Sequence, residues 1–162
     1  MNTKQLYYAL VHNAVTRKCF DGIYARDTLV DIQSTPELVI CNTDYSNATG
    51  EHWILFHFKK PGHLIFYDSL GHDFAHYGKE FVTFVQRWAT TFEHVAHRTQ
   101  PLDSNLCGVY CLYFAYYTCK YWTRAKIIKS MTSSRKVVSV VNKLYTLCEP
   151  SQCPFLQCCV KL

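Results

Sequence analysis

The sequence predicts one α+β domain in which helices pack on a small central β-sheet. Two observations lead to this prediction: a strand pair lies near the middle of the chain, and segments with apolar residues at helical spacing surround it. The chain has 162 residues, 49% of them apolar and 15% aromatic, which is enough for one hydrophobic core. No repeat or linker-like stretch divides it, so we expect a single domain over residues 1–162.

The elements before the strand pair follow from local patterns. Apolar residues at helical spacing predict an opening helix over residues 3–15. We expect an irregular connection to begin at residues 20–24 and a short apolar, β-prone strand to form at residues 38–42. Residues 44–50 are rich in Asn, Ser, Thr and Gly, which indicates a loop.

The central pair is expected to be a β-hairpin. Residues 53–58 and 64–67 read as strands, and Lys60, Pro61 and Gly62 between them contain two residues that break regular structure. If the strands pair antiparallel around this turn, the start of the first strand faces the end of the second. The hairpin is therefore expected to bring two separated parts of the sequence together.

The second half of the chain is predicted to be mainly helical. Residues 74–92 place large apolar side chains three and four positions apart, as an amphipathic helix does, and a further strand is expected at residues 92–99. Residues 106–122 are apolar almost all round, which indicates a buried helix. Residues 134–147 have the pattern of a last amphipathic helix.

Composition excludes several other classes of protein. The longest apolar run, residues 106–117, is shorter than the roughly 20 residues that span a bilayer, so no membrane segment is expected. The first residues lack the features of a signal peptide, from which we expect a cytosolic or nuclear protein with reduced thiols. The net charge of +5 is spread along the chain, which is typical of a solvated surface and leaves a nucleic-acid role open.

We expect neither a metal nor a small-molecule cofactor. Four cysteines near the end, without a CxxC pair or nearby His, do not resemble a zinc site: Cys148, Cys153, Cys158 and Cys159.

The hairpin predicts a contact between His52 and Asp68. Antiparallel pairing around the turn places these residues opposite each other within about one position, and opposed side chains have Cβ atoms roughly 4.5–5.5 Å apart. A carboxylate at that distance can accept a proton from one imidazole nitrogen and leave the other to act as a base. The alternative is that both are ordinary polar residues at strand ends.

Cys107 is the candidate nucleophile. It follows Asp103, Ser104 and Asn105, residue types that cap helices well, and it precedes the long apolar helix. The helix dipole and a nearby imidazolium would lower the pKa of a thiol at this position. The competing interpretation, a buried structural thiol, is the one we assign to Cys111 of the same helix.

Three further residues complete the predicted site. The side-chain amide of Gln100, seven residues before Cys107, could join the backbone N–H of Cys107 in stabilising an oxyanion. Gly108 would let a substrate backbone approach closely, and Trp53 could pack over the imidazole or simply belong to the core. These residue types in the order His, Asp, Gln, Cys favour a cysteine peptidase.

Several segments resemble adenain, the maturation cysteine protease of adenoviruses, and its relatives in adenovirus-like viruses and virus-like transposons. The resemblance covers about residues 20–120, and its most specific parts are GEHW at residues 50–53 and SNLCG at residues 104–108. The other matching segments are FDGIY at 20–24, LVICNT at 38–43, LIFYDSLG at 64–71 and QPLDSNLCGVYCLY at 100–113. The chain order of the site residues is also that of the SUMO-deconjugating proteases, which belong to the same clan.

The resemblance implies a fold, a reaction and partners. It implies an adenain-like fold, with Cys107 as nucleophile, His52 as general base, Asp68 as third triad member and Gln100 as oxyanion donor. The implied substrates are viral structural precursors cleaved near small residues, often glycine, in the host nucleus and the virion. A peptide activator and DNA are the partners implied, although the chain has no cysteine between Cys41 and Cys107 to tether such a peptide.

Three other functions remain open at this point. A ubiquitin-like-protein deconjugase would need a channel that admits only a diglycine tail. An acetyltransferase of the bacterial-effector type uses a similar His, acid and Cys set, but nothing in the sequence indicates a coenzyme site. A binding module that merely keeps the fold is disfavoured, because no member of the proposed catalytic set is missing.

Overall fold

Five strands form one mixed β-sheet with helices packed on both faces. The structure, a computed structural model, describes residues 1–146, so Cys148, Cys153, Cys158 and Cys159 lie outside the described residues. The helices are α1 (Thr3–His12), α2 (Lys79–Trp88), α3 (Cys107–Cys119), α4 (Arg124–Ser130) and α5 (Ser134–Leu144). The strands are β1 (Phe20–Tyr24), β2 (Leu38–Asn42), β3 (Trp53–Lys60), β4 (Gly62–Asp68) and β5 (Ala89–His94). Short 3-10 helices occupy Thr16–Lys18, Arg26–Asp31 and Phe74–Tyr77.

The strands follow sequence order across the sheet. β2, β3 and β4 pair antiparallel, whereas the outer strands β1 and β5 pair parallel to their neighbours. The β3–β4 hairpin turns at Pro61, and Gly62 supports the tight turn with a φ of +77°, a value that glycine adopts without steric cost. Both strands are longer than the sequence indicated, mainly at the turn, and β4 also continues to Asp68 at the site described below.

The two faces of the sheet bury two separate apolar clusters. Alternate residues of β3 point to opposite sides, as the period of a strand requires, so Leu55 faces α3 while Phe56 faces α2. On the α2 side, the core is aromatic: the ring centroids of Phe56 and Phe84 lie 5.2 Å apart in an edge-to-face arrangement. On the other side, α3 is buried between the sheet and α5.

The fold confirms the predicted α+β class, a sheet packed by helices, and corrects several elements. Residues 20–24 are a strand, not an irregular connection, because they pair with β2, a partner that their own sequence does not reveal. The predicted helix over residues 74–92 is interrupted at Gly78, whose φ of +126° separates a 3-10 turn from α2. β5 therefore begins at Ala89 and ends at His94, earlier than the strand expected at residues 92–99.

Helix ends and one helix also differ from the prediction. α1 ends at His12 and α3 at Cys119, each a turn or less before the predicted boundary, and α5 is described to Leu144. The short helix α4 was not predicted, because its seven residues, which include three cations and one fully buried isoleucine, give little periodic signal. Among the described residues, none of the helices combines the length and apolar character needed to cross a membrane.

His57 shows how β3 is attached to α3. It is 4% exposed, and its Nδ1 lies 2.9 Å from the hydroxyl of Thr118, which is also buried. Burial, aided by the positive charge of Lys59, lowers the pKa of His57 to about 4. The folded protein therefore keeps this imidazole neutral at any pH above about 4.

This burial predicts acid sensitivity of the fold. Between pH 6.5 and about 4, the unfolded chain binds a proton at His57 that the folded protein excludes, so stability should fall as the pH falls through this window. His57→Gln keeps an acceptor for Thr118 but does not titrate. Both proteins should lose unfolding free energy when the pH is lowered from about 7 to about 4.5. The loss should be about 2 kcal/mol smaller in the His57→Gln variant than in the unchanged protein.

Urea unfolding at both pH values measures this difference. His97→Gln, at an exposed histidine, is the matched control and should behave as the unchanged protein does. Equal acid-induced losses in the unchanged protein and in His57→Gln would show that another group causes the acid sensitivity.

Candidate active site

A cleft opens where the start of β3, the end of β4 and the N-terminus of α3 meet. Its volume is about 720 Å³, and His52, Trp53, Gln100 and Cys107 line it. The loop between β2 and β3 forms one wall, and the segments after β4 and before α3 contribute the others. These four residues, which were proposed from the sequence for separate reasons, therefore border one cavity.

The imidazole of His52 is hydrogen-bonded to the carboxylate of Asp68. The distance from Nε2 to Oδ1 is 2.6 Å. The register differs from the expected direct opposition: Asp68 pairs with Ile54, and His52 lies two residues before it, at the diagonal position. Long side chains still meet across this diagonal, so the contact forms although the pairing is shifted by two residues.

Asp68 is fully buried and accepts four hydrogen bonds. Besides His52, its donors are the backbone N–H groups of Leu70 and His72, at 2.8 and 2.9 Å, and the hydroxyl of Tyr77 at 2.8 Å. Burial alone would raise the pKa of the carboxyl, but the hydrogen bond and charge of His52 lower it below its usual value. Asp68 is therefore an ionised carboxylate held in one orientation.

Cys107 is the first residue of α3 and is partly buried. Burial raises the pKa of its thiol, but the hydrogen bond and charge of His52, with the backbone N–H groups of Trp53 and Gly108, lower it overall. The same contact acts on the base: burial favours neutral His52, yet its bonds to Asp68 and Cys107 raise the pKa of the imidazole to about 9. Both shifts favour the thiolate–imidazolium form of the pair over the neutral form.

The capping of α3 differs from the prediction. Leu106, not Asp103, Ser104 or Asn105, occupies the N-cap position, and no side chain there accepts a hydrogen bond from the helix. Leu106 instead is buried against the core, which fixes where the helix begins. The N–H groups of the first turn therefore remain available to the sulfur of Cys107 or to a bound group.

Gln100 borders the cleft and is itself buried. Its Oε1 accepts a hydrogen bond from the hydroxyl of Ser69 at 2.8 Å, and its Nε2 donates to the carbonyl of Ser104 at 2.5 Å. The amide carries a second N–H that these two contacts do not use. Gln100 thus has a fixed side chain with a donor to spare, as an oxyanion donor requires.

Trp53 and Gly108 pack against the first residue of the chain. The indole N–H of Trp53 donates to the carbonyl of Met1 at 3.1 Å. A Cβ atom at Gly108 would lie 3.1 Å from Cβ of Met1 and 3.4 Å from the Trp53 ring, so glycine permits this close approach. The aromatic ring beside His52 is Tyr77, with centroids 5.9 Å apart.

Two residues around the site were missed by the sequence reasoning. Tyr77 was included in the interior of a long helix, and only the break at Gly78 reveals that its hydroxyl turns to Asp68. Ser69 carried no motif of its own. Its position directly after Asp68, in the turn that follows β4, is the one signal that could have indicated a role for Ser69.

The described residues contain no cluster of three or more His, Cys, Asp or Glu side chains placed to hold a metal ion. An imidazole, a thiol with a lowered pKa and an unused amide donor line one cavity, and a buried carboxylate holds the imidazole from behind. No model of a known protein family matches the chain, and no curated protein matches it either.

The coupled pair predicts how Cys107 reacts with iodoacetamide. Because the pKa of Cys107 is lowered and that of His52 is raised to about 9, alkylation should reach its maximal rate at a lower pH than that of an ordinary thiol. His52→Ala should abolish this behaviour and require a pH near the ordinary thiol pKa of about 8.5. Rates from pH 5 to 9, with mass spectrometry to locate the modified cysteine, measure both.

The control is His97→Ala, which removes an exposed histidine that does not line the cleft. It should leave the pH profile unchanged. The buried thiols Cys19, Cys111 and Cys119 should be protected throughout. An ordinary thiol profile for Cys107, the same with and without His52, would contradict a coupled pair.

Proposed function

We propose that this protein is a cysteine endopeptidase of the adenain type, which cleaves structural precursor proteins of a virus or virus-like transposon near glycine-containing sites. The observation that carries the proposal is the 2.6 Å contact between His52 and Asp68 beside Cys107, whose pKa His52 lowers, at the wall of an open cleft. Metal-free acyl transfer by a thiolate is the reaction these groups serve best.

Acylation begins with the sulfur of Cys107. The thiolate attacks the scissile carbonyl carbon, an S–C bond forms, and the carbonyl π electrons move to oxygen. The backbone N–H of Cys107 and the unused N–H of Gln100 stabilise this oxyanion, an effect worth roughly 3 kcal/mol per donor. His52 then gives its proton to the leaving amine as the C–N bond breaks, which leaves a thioester on Cys107.

Deacylation reverses the role of the imidazole. Neutral His52 takes a proton from a water molecule, whose oxygen attacks the thioester carbonyl. The second oxyanion collapses, the C–S bond breaks, and the thiolate returns beside an imidazolium. Throughout both steps Asp68 keeps Nε2 occupied, so only Nδ1 faces the reacting atoms.

The surroundings of the thiol favour small residues at the scissile bond. Cys107 is partly buried, and Gly108 beside it is covered by Met1 and Trp53. A bulky substrate side chain at this point would have to displace these groups, whereas glycine would not. This agrees with the glycine-containing sites that the resemblance to adenain implies.

Two cysteine variants test the reaction. Cys107→Ala should abolish cleavage of glycine-containing precursor peptides and keep the unfolding midpoint, because it removes the nucleophile and little packing. Cys111→Ala, one helical turn further along α3, should keep the cleavage chemistry but lose roughly 1–2 kcal/mol of stability through a small cavity. Product analysis by mass spectrometry and urea unfolding are the two measurements.

The substrate panel also includes SUMO and ubiquitin conjugates. Cleavage restricted to these conjugates would indicate a ubiquitin-like-protein deconjugase, the main alternative. The decisive assay supplies a glycine-containing structural precursor together with DNA and candidate peptides, under conditions in which Cys107 reacts with iodoacetamide. If no member of the panel is cleaved in this assay, the proposed function is contradicted.

DNA is proposed as a partner of the C-terminal helices. Residues 104–146 contain no Asp or Glu, yet they carry a series of cations: Lys120, Arg124, Lys126, Lys129, Arg135, Lys136 and Lys143. Aromatic rings lie among them, since Tyr121 is 80% exposed and the Lys126 ammonium lies 3.9 Å from the centroid of the Trp122 ring. Cations with interspersed aromatic rings favour contact with phosphates and bases.

Salt dependence tests this contact. Replacement of Lys126 and Lys129 by Gln should weaken binding to duplex DNA and reduce the slope of log affinity against log salt by about 2, if each lysine neutralises one phosphate. Lys4→Gln with Lys60→Gln removes equal charge elsewhere and should have less effect. Fluorescence anisotropy measures both, and equal slopes in the two double variants would contradict a DNA site on these helices.

A peptide activator, the other partner implied by the resemblance, is proposed to bind without a covalent tether. β5 is an edge strand of the described sheet, and Phe92 on it is half-exposed. An extended peptide could add a strand there through backbone hydrogen bonds. β5 contains no cysteine, so such a peptide would be held by pairing and side-chain contacts alone.

A further inference from the structure

Ser69 directly follows the buried carboxylate of Asp68, and its side chain contacts Gln100 instead of solvent. It is completely buried, and its hydroxyl donates to Oε1 of Gln100 at 2.8 Å. We propose that Ser69 is a positioning residue that fixes the amide of Gln100 with an N–H directed to the oxyanion. This inference rests on the proposed peptidase function and deepens it.

The two contacts of the Gln100 amide select one of its two orientations. Ser69 supplies a donor on one side, and the carbonyl of Ser104 supplies an acceptor 2.5 Å away on the other. A flipped amide would place Oε1 against the Ser104 carbonyl, so that two acceptors would face each other. In the observed orientation one N–H is paired and the second remains free to donate.

Backbone contacts strengthen the attachment. The carbonyl of Ser69 accepts hydrogen bonds from the N–H groups of Thr99 and Gln100, at 2.9 and 3.0 Å. Gln100 is therefore held by Ser69 through both its main chain and its side chain. Since residues 101–106 form a loop without helix or strand, this attachment sets where the amide lies before α3 begins.

Consecutive residues at one strand end thus serve two parts of the reaction. Asp68 orients the general base, and Ser69 orients the oxyanion donor. Asp68 is the last residue of β4 and Ser69 is the first residue of the turn that follows, and their side chains contact His52 and Gln100, respectively. Loss of the Ser69 hydroxyl should therefore affect oxyanion stabilisation and leave the thiolate–imidazolium pair intact.

Two reactions of the same thiol separate these effects. Peptide cleavage passes through an oxyanion, whereas alkylation by iodoacetamide needs only the thiolate. Ser69→Ala should lower kcat/KM for a cleaved peptide by roughly 10- to 100-fold, mostly in kcat, because part of the contribution of one donor is lost. The rate of Cys107 alkylation and its pH profile should stay within about twofold of the unchanged protein, and Ser69→Thr, which keeps the hydroxyl, should recover cleavage.

A double variant asks whether Ser69 acts through Gln100. If it does, Ser69→Ala combined with Gln100→Ala should cleave no more slowly than Gln100→Ala alone, since the two residues act as a unit. Multiplicative losses would overturn this assignment. Ser69→Cys, which fills a similar volume with a weaker donor, replaces Ser69→Ala if that variant does not fold.

The remaining outcomes are distinct. If the protein without substitutions is active and a folded Ser69→Ala variant cleaves at the same rate, the inference is overturned. The proposed function is then unaffected. Parallel loss of cleavage and alkylation would also overturn the inference, because the hydroxyl would then support the whole site. An unchanged protein that cleaves no substrate would overturn both, since no oxyanion would remain for Gln100 to stabilise.

Discussion

The burial of one charged carboxylate organises the middle of this structure. An ionised group removed from water is costly unless several donors replace its hydration. Asp68 obtains four, and they come from three places: the residue that leads into β3, the turn after β4, and the 3-10 helix before α2. Satisfying this single group therefore fixes His52, the turn after β4 and the 3-10 helix relative to one another.

The helix that carries the candidate nucleophile, α3, is held in place by burial and by hydrogen bonds. α3 is buried along most of its length, and two of its four tyrosines pair their hydroxyls with serines: Tyr110 meets Ser134 at 3.0 Å and Tyr113 meets Ser130 at 2.9 Å. A buried helix with paired polar atoms cannot rotate or slide without losing both packing and hydrogen bonds. The first residue of this helix, Cys107, is thereby held in place beside the cleft.

Local patterns were sufficient for the parts of the fold that depend on local interactions. The hairpin, the buried helix and the amphipathic helices each had a clear period. Cys107, His52, Asp68 and Gln100 were proposed from order and residue type, and the fold brings them to one region. Contacts decided by distant pairing were not predictable. β1 required its parallel partner β2, whereas the two-residue offset between His52 and Asp68 follows from the turn itself, because pairing centred on Pro61 places Ile54 opposite Asp68. The cap of α3 depended on the burial of Leu106, which no capping rule includes.

Two histidines near one strand show that burial alone does not set their charge. His57, within β3, and His52, just before it, are both less than a tenth exposed. His57 faces a neutral hydroxyl, so the cost of desolvation prevails and its pKa falls to about 4. His52 faces a carboxylate and a thiol, and their attraction outweighs the same cost and raises its pKa to about 9. The partner that the fold supplies thus decides whether a buried imidazole is a structural group or one that can hold and transfer a proton.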